Sequence, residues 1–306
     1  MVSETPPLPR AAVLIVNARS RKGRRLFREA CSLLKTAGIE LLSAHAVRRP
    51  AEMPDRVREA VKAGAPMVIV GGGDGSISCT VDEVVGSDAV FAVLPMGTAN
   101  SFARTLKLPL DLPGAIEVIA GGRARSIDLG MIDGDYFANC ASIGIAPQIA
   151  ETVPHGLKAW LGRPGYLLWA TRQLAVFRPF RLTVGEGAEA ETLEAVEVRI
   201  ANGPYHGGVA LVDEARLDSG KIVVQAVIGE TRRTLVGNWI ASTLRLPARR
   251  KTTREFEGQA IRVATDPPLP ISIDGEVLAR TPITARIARR AIRVAAPREQ
   301  SPGAGA

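Results

Sequence analysis

The sequence predicts two domains: an N-terminal α/β domain built on a parallel sheet, then a C-terminal domain that is mainly antiparallel β. Three observations carry this. The 306 residues exceed the usual span of one domain. From residue 11 to about 130, apolar strand-length runs alternate with amphipathic helix-length stretches, the rhythm of a parallel sheet with helices on its faces. From about 125 onward the texture changes to short alternating segments separated by turn residues.

Taken in order, "AAVLIVN" (11–17) is a continuous apolar run and reads as a buried strand. "GRRLFREACSLLKTAG" (23–38) reads as a helix closed by Gly38, and "IELLSAHAV" (39–47) as the next strand. "PDRVREAVKAG" (54–64) is a second helix, with Pro54 near its start and Gly64 past its end. "PMVIVGG" and "AVFAVLP" are further strands, each followed by a glycine-bearing turn and a helical segment. This Rossmann-like domain is assigned to residues 10–127. "ARSIDLGMIDGDYFANCASIG" then gives two strands about an Asp133-Gly134 hairpin turn, followed by a helical stretch at about 156–177. "FRLTV", "AVEVRIAN", "GKIVVQAVI", "IRVAT", "PISIDGE", "ITARI" and "AIRVAA" supply the strands of a β-rich domain over 128–296, interrupted by a helix at 231–244. The Pro- and Gly-rich ends, 1–9 and 297–306, are read as flexible tails.

Composition narrows the class. With 46% hydrophobic and 23% charged residues, there is apolar material for two cores in a soluble globular chain. Cys31, Cys79 and Cys140 are odd in number and widely spaced, which argues against a disulfide framework and a structural zinc site. The start "MVSETPPLPR" lacks an apolar signal core, and no run approaches the ~18–20 apolar residues of a spanning helix. The chain is therefore expected in the cytoplasm. A net charge of +8, concentrated in 19–25, 245–254 and 286–293, fits nucleic acid, an anionic membrane surface or a polyanionic substrate. Aromatics are 4% and do not interleave with the basic runs, so a nucleic-acid stacking platform is not supported.

The chemistry points to strand ends. "GGGDGS" (71–76) follows an apolar strand and opens a helix, a place where backbone N–H groups converge on anions. Gly71, Gly72, Gly73 and Gly75 let that backbone approach phosphate without a Cβ in the way. Asp74 would repel phosphate, so its sensible role is to share a Mg²⁺ ion with it, directly or through water. Neither GxxxxGK[ST] nor GxGxxG is present. Two more polar loops follow strands of the same sheet: "VNARSRKG" (16–23), bringing Asn17, Ser20 and Lys22, and "LPMGTANSFAR" (94–104), bringing Gly97, Thr98 and Asn100. In a doubly wound sheet neighbouring strand ends share one crevice, and three such loops predict a nucleotide site.

In sequence order, "GGGDGS", "PMGTANSFAR", "SIDLGMIDGDYFANCASIG", "RIANGPYHGGVALVDEARLDSGKIVVQAV" and "ISIDGE" resemble the signatures of the diacylglycerol kinase catalytic-domain family. That family includes soluble bacterial diacylglycerol kinases, phosphatidylglycerol kinase-like proteins, and the sphingosine and ceramide kinases. The resemblance covers roughly residues 11–295. It implies a nucleotide-binding α/β domain of the NAD kinase/diacylglycerol kinase type, a β-sandwich-like C-terminal domain, and an active site in the cleft between them. It also implies ATP as donor, Mg²⁺, a diacylglycerol-like lipid hydroxyl as acceptor, and work at the cytoplasmic membrane surface as a peripheral protein. Carried over by position, Asn17, Ala18, Arg19, Ser20 and Arg21 match the first nucleotide loop, and Lys22 its basic residue. Gly72, Gly73, Asp74, Gly75 and Ser76 match the glycine-aspartate loop, and Gly97, Thr98 and Asn100 the second. Lys158 matches a lysine four residues before a helical glycine. Asp128 matches an acid of the catalytic network, Glu276 the general base and Asp274 its companion. "PISIDGEVLA" is a hairpin in its own right, whose Asp-Gly turn would expose Glu276 at a strand end.

Three positions depart from the family pattern. Ser101 stands where an aspartate usually follows the asparagine, and Cys79 where a glutamate is common. In "ARLDSG", Ser219 occupies the place of an aspartate at a structural Mg²⁺ site, leaving Asp218 one residue earlier as the candidate ligand. The apolar residues of 155–180, among them Trp160, Leu174 and Phe177, serve equally as a lipid-binding wall or as a helix packed on the β domain. An NAD kinase-like small-molecule kinase and a catalytically weakened nucleotide- or lipid-binding member are the alternatives. The acceptor lipid and the oligomeric state, a homodimer included, stay open.

Overall fold

The first apolar run is strand β1 (Ala11–Asn17), with Leu14, Ile15 and Val16 fully buried. In the computed structural model, which describes residues 7–145, 147–148, 172–243 and 251–298, it is followed by alternating elements. These are α1 (Arg21–Thr36), β2 (Glu40–Val47), α2 (Met53–Lys62), β3 (Met67–Gly72), α3 (Asp74–Val81), β4 (Val90–Pro95), α4 (Ser101–Thr105) and α5 (Leu112–Gly121). β1 pairs in parallel with β2 and β3, and β3 with β4, giving the order β2-β1-β3-β4. β3 and β4 are buried along their whole length, as strands covered on both faces should be, whereas β2 at the edge alternates. Helix α1 starts at Arg21, earlier than the sequence pattern indicates, because the Ser20 hydroxyl accepts the Gly23 N–H at 3.0 Å and caps it.

The described residues of Met1–Leu129, Tyr205–Gly208 and Arg289–Ala306 form one compact unit, and those of Gly130–Pro204 and Val209–Ala288 a second. The chain enters the second unit along β5 (Arg123–Ile132), which turns through Asp133-Gly134 into β6 (Asp135–Phe137). Ile132 pairs with Asp135, and φ values of 53° and 98° at the two turn residues are those a tight two-residue hairpin requires. The remaining strands are β7 (Cys140–Gly144), β8 (Phe180–Val184), β9 (Glu191–Ala201), β10 (Tyr205–His206), β11 (Val209–Ala210), β12 (Ile222–Ile228), β13 (Thr253–Gly258), β14 (Ala260–Asp266), β15 (Pro270–Ile273), β16 (Glu276–Arg280) and β17 (Ile283–Ala296). Helix α6 (Arg232–Thr243) lies between β12 and β13, where the sequence places it.

Among the described residues, the strands of the second unit pair antiparallel. β9 is its hub: the first half pairs with β8, the second with β7, and the opposite edge with β12, which also pairs with β13. β15 joins β7 to β16, and β14 joins β8 to the start of β17. "ITARI" and "AIRVAA" prove to be one strand, β17, whose end pairs in parallel with β4 of the first unit's sheet. β13 has no counterpart in the sequence reading, because "TREFEG" continues a basic, turn-like run and only pairing with β12 makes it a strand. Of the helix expected at 156–177, residues 172–176 are helical and the rest lies outside the described residues.

One polar network sits inside the second unit. Arg199 of β9 is 1% exposed, and its guanidinium donates to both carboxylate oxygens of Glu197 (3.1 and 3.0 Å), to Gln225 (2.8 Å) and to Asn238 (3.2 Å). The Trp239 indole N–H donates to the same Glu197 carboxylate at 2.8 Å. Removing the cation alone would leave a buried carboxylate without its counter-charge, so Arg199→Met should destabilise the protein by about 3 kcal/mol or more. Urea denaturation would show this as a lower midpoint, and adding Glu197→Leu should recover part of the loss.

Candidate active site

Three loops meet at the carboxyl ends of β1, β3 and β4, and their meeting is set by contacts of the first unit alone. The Asn17 side-chain amide donates to the Ser76 hydroxyl at 3.0 Å, tying the end of β1 to the first turn of α3. A Cβ built on Gly97 would stand 2.6 Å from the Gly73 Cα, so the second and third loops touch backbone to backbone. Asn100, in the left-handed region at φ 48°, accepts the Gly97 N–H at 2.9 Å and donates to the Gly97 carbonyl at 3.1 Å. Asp74 completes the lock: its Oδ1 accepts the Phe102 N–H at 3.3 Å, which holds the start of α4 against the start of α3.

Beside these contacts lies a cavity of about 450 Å³ lined by Asn17, Arg19, Ser20, Lys22, Gly23, Leu26, Gly72, Gly73 and Met96. Its electrostatics are those of an anion site. The first turn of α1 carries no acid, while Arg21, Lys22, Arg24 and Arg25 are all exposed there. Basic residues at a helix N-terminus oppose the helix dipole, so an isolated helix gains nothing from them; an anion bound at that end reverses the balance. Gly75 supplies a second sign. It lies in the first turn of α3 with nothing within 4 Å of where its Cβ would be, so the protein's own packing does not require glycine there. A helix there loses up to about 1 kcal/mol relative to alanine, and the space kept open suits a phosphate close to the backbone.

The comparisons with known proteins agree with this geometry. Residues 11–132 match the family described as "Diacylglycerol kinase catalytic domain", and residues 139–296 the "YegS C-terminal NAD kinase beta sandwich-like domain". The chain belongs to the diacylglycerol kinase catalytic-domain family. A Klebsiella pneumoniae protein named "Probable lipid kinase YegS-like" is 34% identical over 228 residues, 72% of this chain and 75% of that one. One of the same name from Chromohalobacter salexigens is 31% identical over 298 residues, covering 93% and 92% of the two chains. The fold is that of the crystal structure of a putative diacylglycerol kinase from Bacillus anthracis, with a TM-score of 0.76 at 20% identity over 94% of this chain and 97% of that one. The α/β domain followed by a β-sandwich-like domain expected from the sequence is thus the fold of this family.

Of the residues singled out by this family's motifs, the structure gathers Asn17, Ala18, Arg19, Ser20, Arg21, Lys22, Gly72, Gly73, Asp74, Gly75, Ser76, Gly97, Thr98 and Asn100 on the three adjoining loops. Gly23, Leu26 and Met96 also line the cavity and were not singled out. Gly23 was legible as a glycine near the start of a helix: a Cβ there would meet the Asn17 carbonyl oxygen at 2.5 Å. Asp128 also lies in the first unit, 3% exposed, and accepts the N–H of Arg290 (φ 49°) at 2.8 Å. In the second unit, Asp274 (φ 45°) and Gly275 (φ 104°) form the turn between β15 and β16, and Glu276 follows, exposed. The Asp274 carboxylate accepts the N–H groups of Ala138 (3.0 Å) and Cys140 (3.2 Å), which anchors the turn that presents Glu276. Lys158, with Trp160 and most of the apolar stretch at 155–171, lies outside the described residues. Phe177 is buried in the second unit's core and Leu174 packs against it.

The departures have local explanations. Ser101 is buried, and its hydroxyl accepts the Gly208 N–H at 3.0 Å, which binds the 205–208 segment to the start of α4. Cys79 lies at the outer part of α3 with its thiol 3.5 Å from the Ser76 carbonyl. Glu83, one turn beyond Cys79, is held by Arg58 with two bonds of 2.8 and 2.6 Å. Ser219 closes the 216–221 turn: its hydroxyl lies 3.1 Å from the Arg216 carbonyl and accepts the Lys221 N–H at 3.2 Å. Asp218 is exposed beside it, and among the described residues no three His, Cys, Asp or Glu side chains gather to hold a metal.

Two glycines therefore separate packing from binding. Gly97→Ala should lower thermal stability, because its Cβ has no room against Gly73 and Asn100. Gly75→Ala should leave the melting temperature unchanged or raise it while weakening nucleotide binding at least about tenfold, measured by differential scanning fluorimetry and calorimetric titration of ATP.

Proposed function

We propose that this chain is an ATP- and Mg²⁺-dependent lipid kinase that transfers the γ-phosphoryl group to the hydroxyl of a diacylglycerol-like lipid. The observation that carries the reading is the locked set of three strand-end loops around a basic cavity, in a chain whose relatives are named probable lipid kinases. The fit to the nucleotide is chemical. Lys22 and the Arg19–Arg21 segment offer charge for phosphates, the glycine backbone offers N–H groups, and Leu26 and Met96 offer an apolar surface. A Mg²⁺ ion commonly takes one or two carboxylates and completes its shell with phosphate oxygens and water, which suits the lone Asp74. Bound there, it would neutralise charge on the phosphates. Asp74 has a further task of this chain's own: through Phe102 it keeps the second and third loops in register, and so fixes the nucleotide's frame.

On this reading Glu276 takes the proton of the lipid hydroxyl onto a carboxylate oxygen. The hydroxyl oxygen then forms its bond to the γ-phosphorus as the bond to the bridging oxygen breaks, and ADP leaves. Asp274 is a positioning residue, holding the turn before Glu276 through two backbone N–H groups. A catalytically weakened member is the second reading, favoured by Cys79 and Ser101, where side chains bonded to the protein's own backbone replace two carboxylates.

Incubating the purified chain with labelled ATP, Mg²⁺ and a panel of lipids separates these readings. Label in a diacylglycerol-like lipid is the expected result. Label in NAD instead would contradict lipid kinase activity, and nucleotide binding with no transfer to any acceptor would establish the weakened member. Asp74→Ala should abolish transfer. Glu276→Gln should slow it by about 10²–10⁴-fold with ATP affinity retained, and unchanged turnover would remove Glu276 as the base.

A further inference from the structure

Helix α6 is built with its polarity reversed. Asn238 and Ser242 are buried, 3% and 1% exposed, alongside Leu235 and Ala241, while Trp239 (37%) and Ile240 (55%) are turned outward. Val236 and Gly237 share that outer face, with exposed Arg233 one turn before Gly237. The inversion is held in place: Asn238 bonds Arg199 and Thr252, and the Trp239 indole N–H is fixed on Glu197 at 2.8 Å. Trp239 is thus tethered by its polar edge with part of its ring left at the surface, the disposition tryptophan takes at a membrane interface.

We infer that the outer face of α6 docks on an anionic lipid surface, inserting Ile240 and Trp239 among the headgroups. Charge and size favour this occupant. Arg233 lies on the face, Lys251 is exposed next to the Thr252 that bonds Asn238, and the whole chain carries +8. A stable protein interface buries about 800 Å² per partner, far more than three side chains supply, whereas shallow insertion combined with basic residues is enough for reversible membrane binding. The inference rests on the lipid-kinase reading only for the expectation that the acceptor lies in such a surface.

The test uses the full chain with vesicles of phosphatidylcholine alone or mixed with phosphatidylglycerol, read by co-sedimentation. Binding should require the anionic lipid and weaken as salt is raised. Ile240→Glu should reduce partitioning about tenfold or more, and Arg233→Glu should reduce it while flattening the salt dependence. Transfer to an acceptor dispersed in detergent should be unchanged in both variants. Vesicle binding by Ile240→Glu equal to that of the parent would overturn the proposal. So would a parent dimer that becomes monomeric in this variant without loss of lipid binding. Failure of the parent to phosphorylate any detergent-dispersed lipid, with vesicle binding intact, would instead count against the kinase reading alone.

Discussion

The contact between Gly73 and Gly97 is the constraint on which the candidate site depends. Two loops at neighbouring strand ends approach so closely that a Cβ on Gly97 would stand 2.6 Å from the Gly73 Cα, and one on Gly73 would stand 3.2 Å from the Gly97 Cα. Only then can Asp74 reach the Phe102 N–H, and only then do Gly72, Gly73 and Met96 border one cavity. Asn17 adds the β1 loop through Ser76. Residues that look like phosphate ligands in the sequence are also the parts that hold the loops together, so under the proposed function binding and local folding would share the same groups. Ser101 and Cys79 each bond backbone, so the loop frame does not rest on carboxylates at those positions.

Much of this was legible in advance. The buried runs of β1, β3 and β4 and the glycine turns after them are local signals, and they placed three loops on one sheet edge. The Asp133-Gly134 and Asp274-Gly275 turns were equally clear, because two-residue hairpins demand left-handed residues that the dipeptide announces. What was not legible is whatever depends on non-local pairing. "TREFEG" becomes β13 only against β12, and the end of β17 joins β4 after nearly 200 intervening residues. Segment 205–208 belongs with the first unit, held by the Ser101–Gly208 bond, and no periodicity announces such a bond. Asp128 illustrates the same limit: motif position marked it as an acid of interest, and the structure shows it accepting the backbone N–H of a left-handed residue in β17.

The second unit carries a different economy of polar groups. Arg199 and Glu197 are buried in the middle of a β domain, an arrangement that adds little net stability but punishes any misplacement of its partners. Because Asn238 and Trp239 are among those partners, the network fixes the rotation of α6 about its axis. A helix with apolar residues on both faces has no pattern of its own to choose which face turns inward. Here the buried ion pair makes that choice, and the apolar outer face follows from it.

The central claim is that the three loops of the first unit hold the nucleotide. Hydrogen–deuterium exchange with and without ATP and Mg²⁺ tests it most directly. Peptides covering residues 17–23, 72–76 and 97–102 should gain protection on adding nucleotide, while β13 should not change. No gain in those three peptides, or protection confined to the second unit around Arg199 and Glu255, would contradict the account.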